Sequence, residues 1–151
     1  VRRTDTLTKH NLVYHGLVPV DYYIRAIRYI LNHVPSPRFF VFSDDIAWCK
    51  TAQVFEGLTV TFVDHNTPGV TVLPDNEVRK TDSGTEHEDL WLMSRCKHAI
   101  IPNSSFSWWA AWLNPNPDKI VIAPTPWFPT GSDHNGSEIA PPEWAHLQVY
   151  W

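Results

Sequence analysis

Three short polar clusters contain the residues whose types suit chemistry on a charged ligand: residues 2–5 (RRTD), 43–45 (SDD) and 103–106 (NSSF). The paired arginines can neutralise a diphosphate, because each guanidinium offers a planar fork of donors that matches phosphate oxygens. Carboxylates repel phosphate and accept instead from sugar hydroxyls or from the N–H groups of a base. We therefore expect a ligand that carries both phosphate and neutral polar groups.

The third cluster lies between two apolar runs, where a strand turns into a helix. Residues 99–101 are typical of the end of a short buried strand, and residues 106–113 of a tryptophan-rich helix. In an α/β sheet such a turn lies at the carboxyl edge of the strands, where ligands bind. A simpler interpretation is that Ser104 or Ser105 caps the helix, and the spacing alone favours that interpretation.

The rest of the chain alternates between helix and strand patterns. Helices are predicted over residues 19–34, 46–55 and 86–96, and buried strands over residues 39–42, 58–64 and 120–123. Gly57 is placed to end the second helix. The alternation predicts an α/β fold with a Rossmann-like, mainly parallel sheet and helices on both faces.

Two segments interrupt this alternation. Residues 64–84 are rich in Pro, Asn, Asp, Gly and Thr, which predicts a long loop. Loops of that length in a compact domain are usually functional. The tail after Pro124 is rich in proline and aromatic residues, so it is expected to cover the domain irregularly, with a short strand at residues 147–150.

A parallel sheet would bring the three clusters together, because the carboxyl ends of its strands meet at one edge. Arg2 and Arg3 would then follow a strand that begins before Val1. Each cluster also has a simpler interpretation: the arginines as surface charges, and Asp44 and Asp45 as helix caps. The expected convergence, more than any one cluster, favours an anionic nucleotide as the ligand.

Composition excludes several other classes. The chain has 151 residues, 43% of them hydrophobic, which is enough for one domain with a core. Its formal charge of -4 disfavours nucleic-acid binding. No apolar run approaches the roughly 20 residues of a membrane span, and the first residues show no signal-peptide pattern. The eight histidines lack ligand spacing, so no metal is expected, and Cys49 and Cys96 are expected to be free thiols.

Glycine-rich nucleotide motifs are missing from the sequence. It contains no G-x-G-x-x-G, no P-loop lysine motif and no G-x-S-x-G. Nicotinamide enzymes and P-loop NTPases are therefore disfavoured. An anionic ligand would have to be held by side chains and by a helix end.

The opening residues VRRTD resemble the H-x-R-R-x-D motif of fucosyltransferases that use GDP-fucose, with the histidine expected just before Val1. The stretches HGLVPVDYYIRAI, FFVFSDDIAWCK and DLWLMSRCKHAIIPNSSFSWWAAWLNPNPDKIVIAP follow in the order seen in bacterial-type α-1,2-fucosyltransferases, glycosyltransferase family 11. The resemblance runs from Val1 to about Phe128, and SSFSWWAAWL is its most specific stretch.

This resemblance implies one half of a GT-B glycosyltransferase. Residues 1–151 would form a single C-terminal domain that binds GDP-fucose, and an acceptor-binding N-terminal domain would precede Val1. The implied reaction moves L-fucose from GDP-fucose to a hydroxyl of a galactose-containing glycan, with inversion and without a metal or cofactor. The implied location is cytoplasmic or peripheral to the membrane in a bacterium, and the Golgi lumen in a eukaryote.

The resemblance also implies roles for individual residues. Arg2 matches the catalytic arginine that contacts the β-phosphate, and Arg3 supports it. Asp89 matches the aspartate that holds the guanine, and the serine turn lines the pyrophosphate and base. The remaining positions matched to donor binding are Asp5, Asp44, Asp45, Asn103, Ser104, Ser105 and Phe106.

Two other functions remain open at this point. One is a binding module without turnover, in which Trp108, Trp109 and Trp127 form a platform for a sugar. The spacing of these tryptophans among alanines favours a place in the core instead. The other is a transferase with a different donor, such as GDP-mannose or a UDP-sugar.

Overall fold

The structure, a computed structural model, describes residues 1–3, 12–13, 15–66, 69–72, 78–81, 84–129 and 136–151. Within it, only the backbone is described for residues 69–72 and 78–81. Asp5, one of the residues matched to donor binding, lies outside the described residues.

The first helix, α1, spans Val20–His33 and confirms the predicted amphipathic helix. Pro19 precedes it in an extended conformation and Asp21 lies in its first turn, where a negative charge favours the helix dipole. Its buried side chains recur at helical spacing: Tyr22, Tyr23, Ala26, Ile27 and Ile30. The Tyr22 hydroxyl donates to the carbonyl of Ile101 at 2.6 Å, so α1 is tied to the following sheet.

Strands β1 (Phe39–Val41) and β2 (Val60–Phe62) pair in parallel, as predicted. Between them, helix α2 covers Ile46–Thr51 and a separate 3₁₀ turn covers Gln53–Phe55. The single helix predicted over 46–55 is therefore interrupted, because Ala52 is extended, with ψ 124°. Gly57 adopts a φ of 75°, the left-handed conformation that favours glycine.

Residues 64–84 are not one long loop, so that prediction is wrong. Strand β3 (Gly69–Val72) pairs antiparallel with β4 (Val78–Thr81) inside this segment. The two strands contain GVTV and VRKT, and β-branched valine and threonine favour the extended backbone. Turn-forming residues flank both short strands, so the sequence pattern of the whole segment favoured a loop.

The second half of the chain continues the α/β alternation. Helix α3 covers Glu86–Arg95, β5 covers Ala99–Ile100, α4 covers Ser105–Trp112 and β6 covers Val121–Thr125. The last strand, β7, covers Ala145–Gln148, two residues earlier than the predicted 147–150. Strands β5, β6 and β7 lie in that order and all pair in parallel.

The architecture is α/β with parallel pairing, as predicted. Among the described residues, however, the strands form three separate hydrogen-bonded sheets: β1-β2, β3-β4 and β5-β6-β7. One apolar cluster packs α1 against the third sheet through Tyr22, Ala26, Ile30, Ile122 and Val149. A second lies beneath α4 and includes Ile101, Ala111, Val121, Trp127 and Trp144.

The tryptophans of α4 only partly follow the core prediction. Trp127 is buried, whereas Trp109 is 51% exposed and lies on the same outer face of α4 as Trp112. Trp108 joins the two environments, since its ring stacks on Trp112 at 5.2 Å and its Nε1 donates to the Ile139 carbonyl. The core interpretation is confirmed for Trp127 and wrong for Trp109.

None of the helices in the described part of the chain is long and apolar enough to cross a membrane.

Candidate functional site

Residues 1–3 run alongside the end of β1. The nitrogen of Val1 donates to the carbonyl of Phe42 at 2.7 Å, and the backbone nitrogen of Arg3 donates to Asp44 Oδ1 at 2.7 Å. The first two polar clusters of the sequence therefore meet directly, as expected for the carboxyl ends of neighbouring strands. We call this junction of Arg2, Arg3, Asp44, Asp45 and Trp48 the arginine corner.

The guanidinium of Arg3 is held from two sides. Its Nε lies 3.4 Å from Asp45 Oδ2, and its Cζ lies 4.1 Å from the centroid of the Trp48 ring. A cation over an indole face is attracted by the negative face of the ring. The Arg3 side chain is only 20% exposed. The surface-charge interpretation is therefore wrong for Arg3, which is a built part of the corner.

Asp45 carries out two structural tasks at once. Its Oδ1 accepts from the backbone nitrogen of Trp48 at 3.1 Å, which caps α2, and its Oδ2 pairs with Arg3. Its own backbone nitrogen donates to Ser43 Oγ at 2.9 Å. The capping interpretation is confirmed for Asp45. The helix start and the position of Arg3 thus depend on one carboxylate.

Tyr23, one of the buried side chains of α1, lies beneath the arginine corner. Its hydroxyl is buried and has no hydrogen-bond partner among the described residues. Burial raises the pKa of Tyr23, with further contributions from Cys49 and Asp44, while Arg3 acts in the opposite direction. An unpaired buried hydroxyl costs stability. No sequence signal distinguishes this tyrosine from its packed neighbour Tyr22.

Asp89 belongs to a second polar network at the start of α3. Its Oδ1 accepts from Asn66 Nδ2 at 3.1 Å and lies 3.7 Å from His65 Nε2. Asn66 also accepts from the Thr85 hydroxyl at 2.6 Å, so its amide is oriented by two elements. Burial raises the pKa of Asp89, opposed by the hydrogen bond from Asn66. The sequence pattern had not indicated Asn66 or His65, which follow β2 in the segment interpreted as a loop.

The third cluster, residues 103–106, forms what we call the serine turn. Asn103 Nδ2 donates to the carbonyl of His15, which ties the turn to the segment before α1. Ser104 precedes α4, and its carbonyl accepts from the nitrogen of Trp108 at 2.9 Å. Its side chain makes no cap hydrogen bond, although Ser104 is only 5% exposed. The capping interpretation is therefore wrong for Ser104, and Phe106 beside it is 39% exposed.

The ends of several strands open onto one cavity of about 850 Å³. Val1, Phe42, Val63 and Pro102 all contribute to its lining, and each lies next to a polar segment considered above. The structure therefore joins the arginine corner directly and sets the serine turn at the end of β5, on the border of the same cavity. Asp89 lies in its own network with Asn66 and His65.

In the described part of the chain, no three His, Cys, Asp or Glu side chains are grouped closely enough to hold a metal ion. Cys49 and Cys96 are free thiols, as expected. The charged side chains of the arginine corner are those of Arg2, Arg3, Asp44 and Asp45. The corner holds the Arg3 guanidinium in a fixed position at a strand end, against a carboxylate and an indole ring.

Comparison with known proteins identifies the class of this chain as a glycosyltransferase family. The profile of Glycosyl transferase family 11 matches residues 1–148. The chain belongs to this family, which confirms the resemblance drawn from VRRTD and SSFSWWAAWL.

Named relatives support the same placement. The chain is 38% identical over 148 residues to the O-antigen biosynthesis glycosyltransferase WbnK of Escherichia coli, covering 97% of this chain and 43% of that protein. It is 37% identical over 151 residues to an alpha-1,2-colitosyltransferase of Escherichia coli, covering 98% of this chain and 46% of that protein.

A more distant relative is the human galactoside alpha-(1,2)-fucosyltransferase 1, which is 28% identical over 114 residues, 75% of this chain and 27% of that protein. The chain thus spans less than half the length of each of these three relatives. No solved structure matches it.

Proposed function

We propose that this chain is the donor-binding half of a GT-B glycosyltransferase that transfers L-fucose from GDP-fucose to a galactoside hydroxyl with inversion. The observation that carries the proposal is the family match over residues 1–148, in a family whose relatives include proteins named for α-1,2 transfer. The acceptor glycan would be bound mainly by a further domain, since the relatives are more than twice as long as this chain.

A second donor has a specific observation in its favour. The chain is 37% identical to the colitosyltransferase and 28% identical to the human fucosyltransferase. Nucleotide-activated colitose is therefore the alternative donor, with the same reaction type and the same site. Both versions place the phosphate-binding chemistry in this chain and differ only in the sugar that the site accepts.

In the proposed mechanism, the acceptor hydroxyl attacks the anomeric carbon from the face opposite the nucleotide and releases its proton to solvent water. Negative charge develops on the β-phosphate as the glycosidic bond to the diphosphate breaks. Arg2 stabilises that charge, and Arg3 acts as a positioning residue because Asp45 and Trp48 hold its guanidinium. One lost donor of this kind typically raises the barrier by about 3 kcal/mol. The leaving-group charge is thus met by side chains, and the proposal requires no metal or cofactor.

The serine turn and Asp89 complete the proposed donor site. Backbone N–H groups at the start of α4, with the hydroxyls of Ser104 and Ser105, donate to the pyrophosphate. Asp89 accepts from the N–H groups of guanine, in an orientation supported by Asn66. Asp44 bonds the backbone of Arg3, so it acts on the donor through the arginine corner. The bacterial relatives support a cytoplasmic or peripheral membrane setting for the enzyme.

Titration calorimetry separates this proposal from a sugar-binding module. The chain is titrated with GDP, GDP-fucose, UDP and a free galactose-containing oligosaccharide. Binding of GDP and GDP-fucose, with no binding of UDP, supports the proposal. Binding of the oligosaccharide without either nucleotide would identify a glycan-binding module and end the assignment.

A transfer assay on the full-length enzyme distinguishes the two sugars. GDP-fucose and nucleotide-activated colitose are offered in parallel with a galactoside acceptor, and kcat/KM is compared. A higher value for GDP-fucose supports the first version of the proposal. A higher value for the colitose donor replaces fucose by colitose and leaves the site residues unchanged.

A further inference from the structure

The segments that follow β6 and β7 lie at the same edge of the sheet as the serine turn, because β5, β6 and β7 are parallel. The nitrogen of Val149, just after β7, donates to the carbonyl of Thr125 at the end of β6 at 2.7 Å. In an α/β sheet this carboxyl edge is where ligands bind. Three side chains of these segments form what we call the edge cluster: Phe128, Pro129 and Trp151.

Gly16, which precedes α1, is enclosed by the edge cluster. Its φ is 67°, the left-handed conformation that favours glycine. A Cβ at this position would lie 2.5 Å from Trp151 Cε3 and 2.7 Å from Pro129 Cγ, well inside the roughly 3.5–4.0 Å at which carbon atoms pack. The ring of His15 lies 6.3 Å from that of Phe128. The edge cluster therefore fixes the backbone of residues 15–16 by direct contact.

The carbonyl of His15, within this fixed segment, holds the serine turn. It accepts a hydrogen bond from Asn103 Nδ2, 88 positions along the chain. Asn103 is only 8% exposed, so its amide needs partners within the protein. It directly precedes Ser104, and α4 begins at Ser105. The side chain of Asn103 thus connects the edge cluster to the turn that carries the two serines.

The Trp151 ring contributes packing rather than a hydrogen bond. Its Nε1 is buried and has no hydrogen-bond partner among the described residues. Buried indole N–H groups usually find a partner, so the contact area of the ring is what this position uses. The adjacent Tyr150 is 79% exposed. The two neighbouring aromatic residues therefore form a matched pair, of which only Trp151 contacts Gly16.

We propose that Trp151 and Gly16 are positioning residues for the donor site, and that they act on the serine turn through the bond from Asn103 to the His15 carbonyl. Asn103 then serves the donor by holding the serine turn in place, rather than by a contact of its own. This inference rests on the proposed function, because it takes the serine turn to bind the pyrophosphate. It holds equally for a fucose and a colitose donor.

A double-mutant cycle in the full-length enzyme tests the connection, with affinity for GDP measured by calorimetry. Trp151→Ala and Asn103→Ala should each weaken binding by roughly 5- to 10-fold, the effect of one neutral hydrogen bond. The double variant should lose no more than the larger single loss, since both residues act through one contact. Tyr150→Ala is the control and should bind GDP as the wild type does. Losses that multiply in the double variant, or wild-type affinity in Trp151→Ala, would overturn the proposal.

Two further variants separate positioning from stability. Trp151→Phe keeps an aromatic ring without the unpaired nitrogen, so it should restore most of the affinity for GDP. Gly16→Ala should weaken GDP binding because its Cβ meets the Trp151 ring. Gly57→Ala is the matched control, since Gly57 has a similar φ of 75° and no atom of the described residues within 4 Å of its Cβ position. It should lower the Tm alone, and equal affinities of the two glycine variants contradict the proposal.

The side-chain amide of Asn103 gives a readout that needs no nucleotide. Its NMR signal is followed in enzyme carrying isotopically labelled asparagine and is assigned by its absence in Asn103→Ala. The signal should move in Trp151→Ala and Gly16→Ala and stay in place in Tyr150→Ala, because only the first two disturb the His15 carbonyl. That result in an enzyme that binds no GDP would support the connection and end the proposed function. A signal that stays in place in all three variants contradicts the connection, whether or not GDP binds.

Discussion

The arginine corner and the serine turn both follow parallel strands, yet they are built in opposite ways. In the corner, side chains supply the contacts: the Asp45 carboxylate caps α2 and also pairs with Arg3. At Ser104 in the serine turn, the hydrogen bonds are made by the backbone. The Ser104 nitrogen donates to the Pro102 carbonyl, and the Ser104 carbonyl accepts from the Trp108 nitrogen. The Ser104 hydroxyl makes no cap bond.

The difference follows from the charge that each region must present. A partly buried guanidinium needs compensation and a fixed direction, so the corner surrounds Arg3 with a carboxylate and an indole. A hydroxyl is neutral, so its burial costs less than that of a guanidinium and requires no charged partner. We therefore expect corner substitutions to change both stability and function, and substitutions in the turn to change mainly function.

The largest effect is expected at Arg2. Arg2→Ala in the full-length enzyme should lower kcat by about 100-fold or more, equivalent to about 3 kcal/mol, while the fold survives. Steady-state kinetics and circular dichroism measure the two properties. Arg2→Lys is the matched control, and it should recover part of the loss because it restores charge without the planar fork. Turnover in Arg2→Ala close to that of the wild type would remove the catalytic role of the corner.

Asp89 lies outside both regions and tests whether the donor site extends to a base. Asp89→Asn should weaken GDP binding roughly 10- to 100-fold, as for lost hydrogen bonds to a charged group. Burial raises the pKa of Asp89, so the folded state holds the proton more tightly than the unfolded chain, and the ionised form lowers stability above that pKa. The variant should therefore unfold at an equal or higher temperature at neutral pH. Unchanged calorimetric affinity for GDP contradicts this role.

Asp45 tests the double task assigned to the corner. Asp45→Ala removes the cap of α2 and the partner of Arg3, so it should lower the free energy of unfolding by about 1–2 kcal/mol and also weaken GDP binding. Asp45→Asn keeps a capping oxygen and loses the negative charge, so it should preserve most of the stability while still weakening binding. Urea unfolding and calorimetry measure both. Equal stability losses in the two variants would show that the cap is unimportant.

Ser104→Ala is the corresponding test in the serine turn. Because the hydroxyl makes no cap bond, the variant should change the free energy of unfolding by less than about 0.5 kcal/mol. Its affinity for GDP should still fall, by roughly 5- to 10-fold for one neutral hydrogen bond. A loss of stability as large as that of Asp45→Ala would contradict the contrast between the two regions.

The smallest effect is a pH dependence away from both regions. His98 Nδ1 accepts from the Ile120 nitrogen at 3.0 Å beside the β5–β6 pair, and burial lowers the pKa of His98 from 6.5. As the pH falls below 6.5, the unfolded chain takes up this proton first, so stability is present above that pH and is lost below it. His98→Asn should flatten part of the fall in Tm between about pH 7 and pH 5. An unchanged Tm profile would show that His98 does not titrate between the states.

Local sequence patterns predicted the helices of this molecule more completely than its strands. The periodicity of Tyr23, Ile27 and Ile30 was sufficient to predict α1, because one face of a helix is visible within a few turns of sequence. Strands β3 and β4 were missed, since two four-residue strands flanked by turn residues are recognisable only once they pair. The family was also readable from sequence, because its motifs are contiguous.

Which polar groups are engaged was decided by the tertiary structure alone. Sequence placed aspartates after β1 and serines before α4; it allowed caps at the aspartates and favoured a cap at the serines. The structure made a cap of Asp45 and not of Ser104, and it set Arg3 on Trp48, 45 positions along the chain. Such choices depend on contacts between residues far apart in sequence, and no local pattern specifies them.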